Sequence, residues 1–174
     1  METSPIPESP EIDLPDPWEL PPTVRQRFEI VHLHGGMAFI AGHGPVSGTE
    51  ILMTGKVGLD LSVEDGYQSA RLTALAVTAS LKRALPSLES LTWLRATVYV
   101  NAVPGLGGPA LTRVADGFSD VINEIFGDRG RHARATMGAA TLAFDVPTIV
   151  EGMVAVSTAG QAPTTRIGGD RANS

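Results

Sequence analysis

The sequence predicts an α+β domain in which one mixed β-sheet carries two helices on one face. Three observations lead to this prediction: short apolar stretches typical of strands, two long amphipathic stretches typical of helices, and helices placed between the later strands. Each helix joins strands that can lie parallel, and right-handed crossovers would put both helices on one side of the sheet. The folded part is predicted to be a single domain over residues 24–157.

The first half of the domain is predicted to contain a hairpin, a third short strand and a helix. Residues 28–33 and 37–41 are typical of strands, and His34-Gly35-Gly36 between them is typical of a hairpin turn. A short strand is predicted at 51–54. The helix begins after Ser62, because Asp65 follows at the spacing of a capping box, and it ends before Pro86.

The second half is predicted to add a strand, a helix and two further strands. The strand over 91–100 has Leu94, Ala96, Val98 and Val100 on one face, with Trp93, Arg95, Thr97 and Tyr99 on the other. A helix over about 110–126 carries an unbroken apolar stripe and ends at Gly127, which is a natural C-terminal cap. A charged loop at 128–133 leads to strands over 134–142 and 148–156.

The second face of the sheet is predicted to need a partner. Ala135, Met137, Ile149 and Met153 are too apolar to face water, and both helices are expected on the opposite side. Charged residues make up only 18% of the chain, below the roughly 25% of an average domain. We therefore expect an oligomer in which this face is covered.

The two ends of the chain are predicted to be tails. Residues 1–23 alternate prolines with acidic residues, a composition that favours coil and cannot pack a core. Trp18 and Leu20 are the exceptions, since they could attach the segment to a surface. Residues 158–174 are polar and rich in Gly and Ala, so we expect them to be flexible.

Composition excludes several classes of protein. The chain has 174 residues, a net charge of −6 and no cysteine. The negative charge argues against nucleic-acid binding, and the lack of cysteine excludes disulfides and thiolate metal ligands. No apolar run approaches the roughly 20 residues of a membrane span, and the N-terminus does not look like a signal peptide. A cytoplasmic protein without membrane contact is expected.

Two charged residues at strand positions are candidates for a site. Glu151 lies within an otherwise apolar strand, where a carboxylate is costly unless it is paired or hydrogen-bonded. The alternative is an edge strand with Glu151 in water. Arg134 begins the preceding strand and suits bidentate capture of a carboxylate. A surface salt bridge is the alternative, and Arg129, Arg131 and His132 are close enough that spacing does not single out Arg134.

Other catalytic and metal motifs are not supported. His32 and His34 share one strand face, but no third ligand stands at a convincing spacing, so no metal site is predicted and hydrogen-bonded or solvated histidines are the better interpretation. There is no Gly-x-Ser-x-Gly elbow, no P-loop and no dinucleotide fingerprint. The residues alone predict an α+β oligomer with a site for a small anionic ligand.

Four runs, in this order and spacing, carry a likeness to a known family. They are Met37-Ala38-Phe39-Ile40-Ala41-Gly42-His43-Gly44-Pro45, Thr54-Gly55-Lys56-Val57-Gly58, Ala96-Thr97-Val98-Tyr99-Val100, and Phe126-Gly127-Asp128-Arg129-Gly130-Arg131-His132-Ala133-Arg134, the last continuing to Val150-Glu151. Over about residues 24–156 the chain resembles the Rid/YjgF family, also called the endoribonuclease L-PSP or reactive-intermediate deaminase family. The last run looks like its YjgF-like branch.

The resemblance implies a chorismate-mutase-like fold, a homotrimer and sites in the clefts between subunits, with the open sheet faces lining a central barrel. It implies hydrolysis of reactive imines and enamines to ketoacids and ammonia, without a metal or organic cofactor. By this likeness Arg134 would clamp the substrate carboxylate, Glu151 would position the attacking water, and main-chain groups near Thr136 would hold the imine end. Orientation of the substrate and a positioned water can suffice for hydrolysis, because an imine is already electrophilic.

The chain departs from the family pattern at four predicted substrate-binding positions. Phe28 stands where active deaminases have Tyr, Ala41 where they have Ser, His43 where they have Gln, and Asp116 where they have Asn. The changed polar groups leave four functions open. They are an imine or enamine hydrolase, a non-catalytic sensor for a small carboxylate-containing molecule, a biosynthetic tailoring enzyme with another substrate, and an endoribonuclease, against which the acidic charge argues.

Overall fold

The computed structural model describes residues 12–157, so residues 1–11 and the predicted C-terminal tail at 158–174 lie outside the described part. Its strands are β1 (Val31–His34), β2 (Met37–His43), β3 (Val46–Ser47), β4 (Glu50–Ile51), β5 (Leu91–Asn101), β6 (Ala133–Ala139) and β7 (Thr148–Val156). Its helices are α1 (Val63–Ala84) and α2 (Gly108–Phe126), with short 3-10 turns at Gly127–Gly130 and Ala143–Asp145.

Five strands form one mixed sheet in the order β1-β2-β7-β5-β6, and β3 and β4 form a separate small hairpin. β5 and β6 are parallel because α2 connects them, whereas the other neighbours are antiparallel. The predicted α+β fold with a mixed sheet and two helices is confirmed. Within residues 12–157, no helix is long and apolar enough to cross a membrane.

Three predicted strands are longer than the observed ones. β1 begins at Val31 rather than at residue 28, the strand predicted at 51–54 is reduced to the two-residue β4, and β6 ends at Ala139 rather than at residue 142. After β6 the chain turns through Phe144 and Asp145, whose φ angles of 58° and 54° lie in the left-handed region. β6 stops earlier because Ala139 is paired with Asn101, the last residue of β5, so the ladder ends there.

Local sequence signals account for the start of both helices. The main-chain N–H of Ser62 donates to Asp65 Oδ2 (2.8 Å) and that of Asp65 donates to Ser62 Oγ (3.1 Å), which completes the predicted capping box. The Ser62 hydroxyl, which donates to Asp65 Oδ2 (2.6 Å), and the Ser62 N–H together lower the pKa of Asp65. α2 begins at Gly108, slightly before the predicted start, because Pro109 fits the first turn of a helix.

Small residues let α1 and α2 lie very close together. A Cβ atom on Gly117 of α2 would stand 2.2 Å from the main-chain oxygen of Tyr67 in α1. A Cβ atom on Gly66 of α1 would stand 2.8 Å from a methyl group of Val114 in α2. The two helices therefore form one layer against the sheet, and the buried core lies between this layer and β2, β5 and β7.

One core residue was predicted on the wrong face of β5. Trp93 was expected on the face opposite Ala96, but its side chain is only 2% exposed and packs edge-on against Phe118 of α2, with ring centroids 5.4 Å apart. The register of β5 against β7 shifts between Trp93 and Arg95. Such a bulge breaks the simple alternation of side chains, so Trp93 and Ala96 both face the helices.

Part of the predicted N-terminal tail packs on the domain. The main-chain N–H of Glu19 donates to Gly48 O (2.9 Å), and the N–H of Gly48 donates to Asp16 O (3.0 Å). The Glu19 carboxylate also pairs with Arg83 of α1 at 3.0 Å. The Trp18 ring covers His43, with centroids 5.0 Å apart. Trp18 therefore attaches this part of the segment to a surface, which is the exception that the sequence allowed. Its aromatic side chain and the main-chain pairing offset the cost of ordering.

The run Thr54–Gly58 forms a turn that is hydrogen-bonded to the end of β5 and to the segment after β6. Lys56 Nζ donates to Asn101 Oδ1 (2.5 Å), at the end of β5, and to the main-chain oxygen of Ala140, after β6. The amide of Asn101 then donates to Asp145 Oδ1 (3.1 Å). Gly55 has φ 119° and Gly58 has φ 89°, conformations that favour glycine. This part of the family likeness is therefore explained by structure alone.

Candidate functional site

The segment between α2 and β6 is shaped by two glycines. Gly127, at φ 55°, caps α2. Gly130 is buried, and a Cβ atom there would stand 2.5 Å from the main-chain oxygen of Ile122. This close approach holds the following residues, His132 and Arg134, against the end of α2.

Arg129 and Arg134 have different roles, which the spacing in the sequence could not separate. Arg129 Nη1 donates to the main-chain oxygens of Leu88, Glu89 and Leu91, so its guanidinium anchors the turn before β5. Arg134, on β6, is instead held by side chains of α2: Nη1 donates to Ser119 Oγ (2.9 Å) and Nη2 donates to Asp116 Oδ1 (2.9 Å). Of the five N–H donors of Arg134, three have no partner among the described residues.

Glu151 lies in the central strand of the sheet and not at an edge. Its carboxylate is exposed on the open face, by which we mean the sheet face away from α1 and α2. Tyr99 Oη donates to Glu151 Oε1 (3.2 Å). Partial burial, followed by the charge and hydrogen bond of Glu151, raises the pKa of Tyr99, so the phenol remains a donor at neutral pH. The carboxylate is thus oriented but not buried.

A groove of about 390 Å³ on the open face contains Glu151. Arg95 and Thr97 of β5 lie beside it, and strand register pairs Thr97 directly with Glu151. The remaining walls are apolar and are formed by Phe39, Ile40, Gly152 and Met153. The groove combines a carboxylate, a guanidinium and a hydroxyl with an apolar floor.

Arg134 and Glu151 do not meet within one protomer. In the sheet, Arg134 is the register partner of Ala96, which faces the helices, whereas Glu151 is the partner of Thr97 on the open face. Thr136 follows Arg134 on β6, beside buried Val98. β6 is an edge strand, so the main chain of Thr136 lies at one margin of the sheet.

The other predicted substrate-binding residues are divided between the two margins of the sheet. Asp116 is next to Arg134, at the β6 margin. Phe28, Ala41 and His43 lie at the opposite margin, beside β1 and β2; Phe28 is 47% exposed and its ring centroid is 6.2 Å from that of Trp18. Ala41 is half-buried and its N–H donates to Ile30 O (3.0 Å). One protomer therefore does not bring the predicted site together.

Residues 19–153 match a family profile described as "YjgF/chorismate_mutase-like, putative endoribonuclease". The chain belongs to this family. Protein TCP17 of Trypanosoma cruzi is 34% identical over 122 residues, which cover 69% of this chain and 75% of TCP17. The resemblance inferred from the four sequence runs is confirmed.

Solved structures agree with the family assignment. Atu1372 of Agrobacterium tumefaciens, a protein of unknown function, superimposes with a TM-score of 0.72 at 27% identity, covering 80% of this chain and 88% of its own. A protein of Shewanella oneidensis described as a candidate endoribonuclease superimposes with a TM-score of 0.70 at 26% identity, covering 79% of this chain and 92% of its own. Both share the YjgF-like fold.

In this YjgF-family chain, His43, which was predicted to be a substrate-binding residue, is not accessible from the surface of the protomer. Its side chain is fully buried, beneath Trp18. Nδ1 lies 2.7 Å from Ala41 O and Nε2 lies 2.9 Å from Ser80 Oγ. A carbonyl only accepts, so the proton is on Nδ1 and Ser80 donates to Nε2. Burial lowers the pKa of His43 from 6.5 to about 4, which keeps the imidazole neutral.

We expect His43 to make the fold sensitive to acid. Because its pKa falls from 6.5 to about 4 on folding, only the unfolded chain binds this proton between those pH values. The free energy of unfolding should therefore decrease as pH falls from about 6.5 to about 4, by about 3 kcal/mol from this residue. Urea unfolding of the wild type and His43→Gln across this range measures the difference. Equal pH slopes in the two proteins would contradict the assignment.

Sequence reasoning missed four polar residues beside Glu151 and Arg134. Arg95 and Tyr99 were placed correctly on one face of β5, but only the register with β7 brings them to Glu151. Ser119 carries no motif in the sequence. His132 stands in the fourth family run, but its contact with Ser119, which leads to Arg134, was not predicted. Among residues 12–157, no group of three His, Asp or Glu side chains is arranged to hold a metal ion.

Proposed function

We propose that this protein hydrolyses small carboxylate-bearing imines and enamines, without a cofactor, in clefts between the subunits of a homotrimer. One observation carries the proposal: Arg134 is oriented at an edge strand by Ser119 and Asp116, with three N–H donors unengaged among the described residues. A planar guanidinium held in this way suits bidentate binding of a carboxylate.

The division of the predicted site between two sheet margins supports a site between subunits. Arg134, Thr136 and Asp116 belong to the β6 margin, while Phe28 and Ala41 belong to the margin at β1 and β2. Contact of the β6 margin of one subunit with the open face and opposite margin of the next would bring the two groups together and place Glu151 beside them. A cyclic trimer repeats this contact three times and leaves no margin uncovered.

The proposed reaction needs few groups. Arg134 binds the substrate carboxylate, and main-chain groups at Thr136 hold the nitrogen end. An enamine first takes up a proton at carbon and becomes the imine. Glu151 then accepts a proton from the water that attacks the C=N carbon and passes it to the nitrogen. The resulting carbinolamine transfers its hydroxyl proton to the amine and releases ammonia to leave a ketoacid. Tyr99, hydrogen-bonded to Glu151, keeps the carboxylate in one orientation.

Endoribonuclease activity is the second candidate, because the family profile and the Shewanella relative carry that description. The net charge of −6 opposes binding of a polyanion, since affinity for nucleic acid depends mainly on phosphate contacts. A non-catalytic carboxylate sensor and a tailoring enzyme with a larger substrate would use the same Arg134. Turnover measurements separate these functions.

We expect Arg134→Lys to abolish most turnover of 2-iminopropanoate, because lysine keeps the charge but loses the planar fork. Pyruvate formation from freshly generated iminoacid, corrected for spontaneous hydrolysis, measures the effect. Arg113→Lys is the matched control, since Arg113 lies on exposed α2 surface, paired with Glu64. Equal rates for the wild type and Arg134→Lys would exclude the clamp, and binding without turnover would favour the sensor.

We expect the protein to form a trimer, with a mass in light scattering near three times 18.2 kDa. Met137 is 44% exposed on the open face of β6, and Met137→Glu would bury a charge in the proposed interface and so dissociate the trimer. Leu59→Glu is the control, because Leu59 is 72% exposed outside the sheet. A wild-type monomer across micromolar dilution would contradict the proposed subunit cleft.

A further inference from the structure

Ser119 and His132 form a hydrogen-bonded chain that ends on Arg134. His132 Nδ1 lies 2.6 Å from Gly130 O, and His132 Nε2 lies 3.1 Å from Ser119 Oγ. Ser119 Oγ is in turn 2.9 Å from Arg134 Nη1. In the function proposed above Ser119 enters only through its contact with Arg134, and His132 has no role.

The direction of each hydrogen bond in this chain is fixed by chemistry. Gly130 O can only accept, so Nδ1 of His132 carries the proton, and Nε2 of the neutral ring is an acceptor. Ser119 must then donate its hydroxyl proton to Nε2. Its lone pairs are left to accept from Arg134, which can only donate. Each group therefore has one orientation that satisfies its neighbours.

The His132 end of this series of hydrogen bonds is anchored in the core. The His132 ring packs against Trp93 and Phe118, with centroid distances of 5.8 and 5.9 Å, and both aromatic side chains are buried. Burial, together with the positive charge of Arg134, lowers the pKa of His132. The imidazole is therefore neutral at pH 7, the form that accepts from Ser119.

We propose that Ser119 and His132 are positioning residues that orient the guanidinium of Arg134 for a small carboxylate, and that Asp116 moderates the affinity of that site. This inference rests on the proposed function of Arg134. Ser119 holds Nη1 with a neutral acceptor, so it orients the guanidinium without reducing its charge. Asp116 holds Nη2 with a carboxylate, which orients the group but also offsets the charge that attracts the ligand.

Removing the neutral contact and removing the charge of the other contact should change the affinity for a carboxylate in opposite directions. Removing the Ser119 hydroxyl should let the guanidinium rotate and weaken carboxylate binding about tenfold, equivalent to the loss of one hydrogen bond. Ser119→Thr keeps the hydroxyl and should restore most of the affinity. Asp116→Asn keeps an oxygen acceptor at Nη2 but removes the negative charge, so it should bind a carboxylate several-fold more tightly.

The test is isothermal titration calorimetry of the full-length protein with pyruvate. We expect the dissociation constant to rise about tenfold for Ser119→Ala and for His132→Leu, to change little for Ser119→Thr, and to fall for Asp116→Asn. Tyr67→Phe is the matched control, because Tyr67 donates to Asp120 of α2 (2.8 Å) in a contact separate from this chain. Thermal unfolding of each variant identifies losses that come from unfolding.

The outcomes separate this inference from the proposed function. If pyruvate binding requires Arg134 but is unchanged in folded Ser119→Ala and His132→Leu, the positioning role is wrong and the clamp stands. The same conclusion follows if Tyr67→Phe weakens binding as much as Ser119→Ala does. Weaker binding by Asp116→Asn would overturn the role given to Asp116. If the wild type fails to bind pyruvate, both the clamp and this inference are wrong.

Discussion

Glu151→Gln should reduce turnover of 2-iminopropanoate by about 10²-fold or more while leaving the fold and oligomeric state unchanged. Glutamine has nearly the same volume, and its side-chain oxygen can still accept from Tyr99 Oη. It cannot take a proton from water, and a positioned general base contributes about 10²–10⁴ in rate. Because Glu151 is exposed in the protomer, losing its charge leaves no buried group unpaired.

Steady-state pyruvate formation measures this effect, and circular dichroism confirms the fold. Tyr99→Phe should cause a smaller loss, about fivefold, because it removes one hydrogen bond to the carboxylate but not the base itself. Glu89→Gln is the control for removing an exposed carboxylate elsewhere. A fully active Glu151→Gln would remove Glu151 from the mechanism and leave it as a surface residue of the open face.

Gly117→Ala should cause the largest loss of stability among single-methyl changes at the helix layer. The added Cβ atom would stand 2.2 Å from Tyr67 O and 3.1 Å from Tyr67 C. These are main-chain atoms, so the clash is relieved only if α1 and α2 move apart and the core loosens. Such overpacking typically costs about 1–3 kcal/mol and occasionally more. Alanine gains about 1 kcal/mol in helix propensity, so we expect a net loss of up to about 2 kcal/mol.

Urea unfolding followed by circular dichroism, at one protein concentration, measures this loss. Gly108→Ala is the matched control in the same helix, because a Cβ atom there meets no atom within 4 Å. It should leave the free energy of unfolding unchanged or slightly higher. If Gly117→Ala were as stable as Gly108→Ala, the two helices could not lie as close as the structure places them.

Local signals were sufficient for the helices and for the class of fold. The capping box at Ser62 and Asp65 involves residues three apart, and helical periodicity needs only a short window. In β7 the pattern follows the alternation of a strand, since Val150 and Val154 are buried whereas Glu151 is exposed. The likeness of four short runs was sufficient for the family, because their order and spacing are specific even though each run alone is weak.

Features that depend on register between distant strands were not predictable. The bulge that turns Trp93 inward arises from pairing with β7, some distance along the chain. The packing of Trp18 on His43 depends on where β2 and α1 meet, so the sequence indicated that Trp18 could attach the tail but not to which surface. Both features have one cause, since tertiary contacts outweigh local preference wherever a large aromatic side chain finds a partner.

The sequence by itself determined the α+β class, the extent of both helices, the family, and Arg134 and Glu151 as the residues to examine. The tertiary structure alone decided that Arg129 anchors a turn, whereas Arg134 keeps donors with no partner within residues 12–157. It also decided that Ser119 and His132 contact each other beside Arg134, and that Arg134 and Glu151 face opposite sides of the sheet. The physical reason is that composition and periodicity report on a residue's own segment. Hydrogen-bond partners, by contrast, are set by strand order and register, which join segments far apart in the chain.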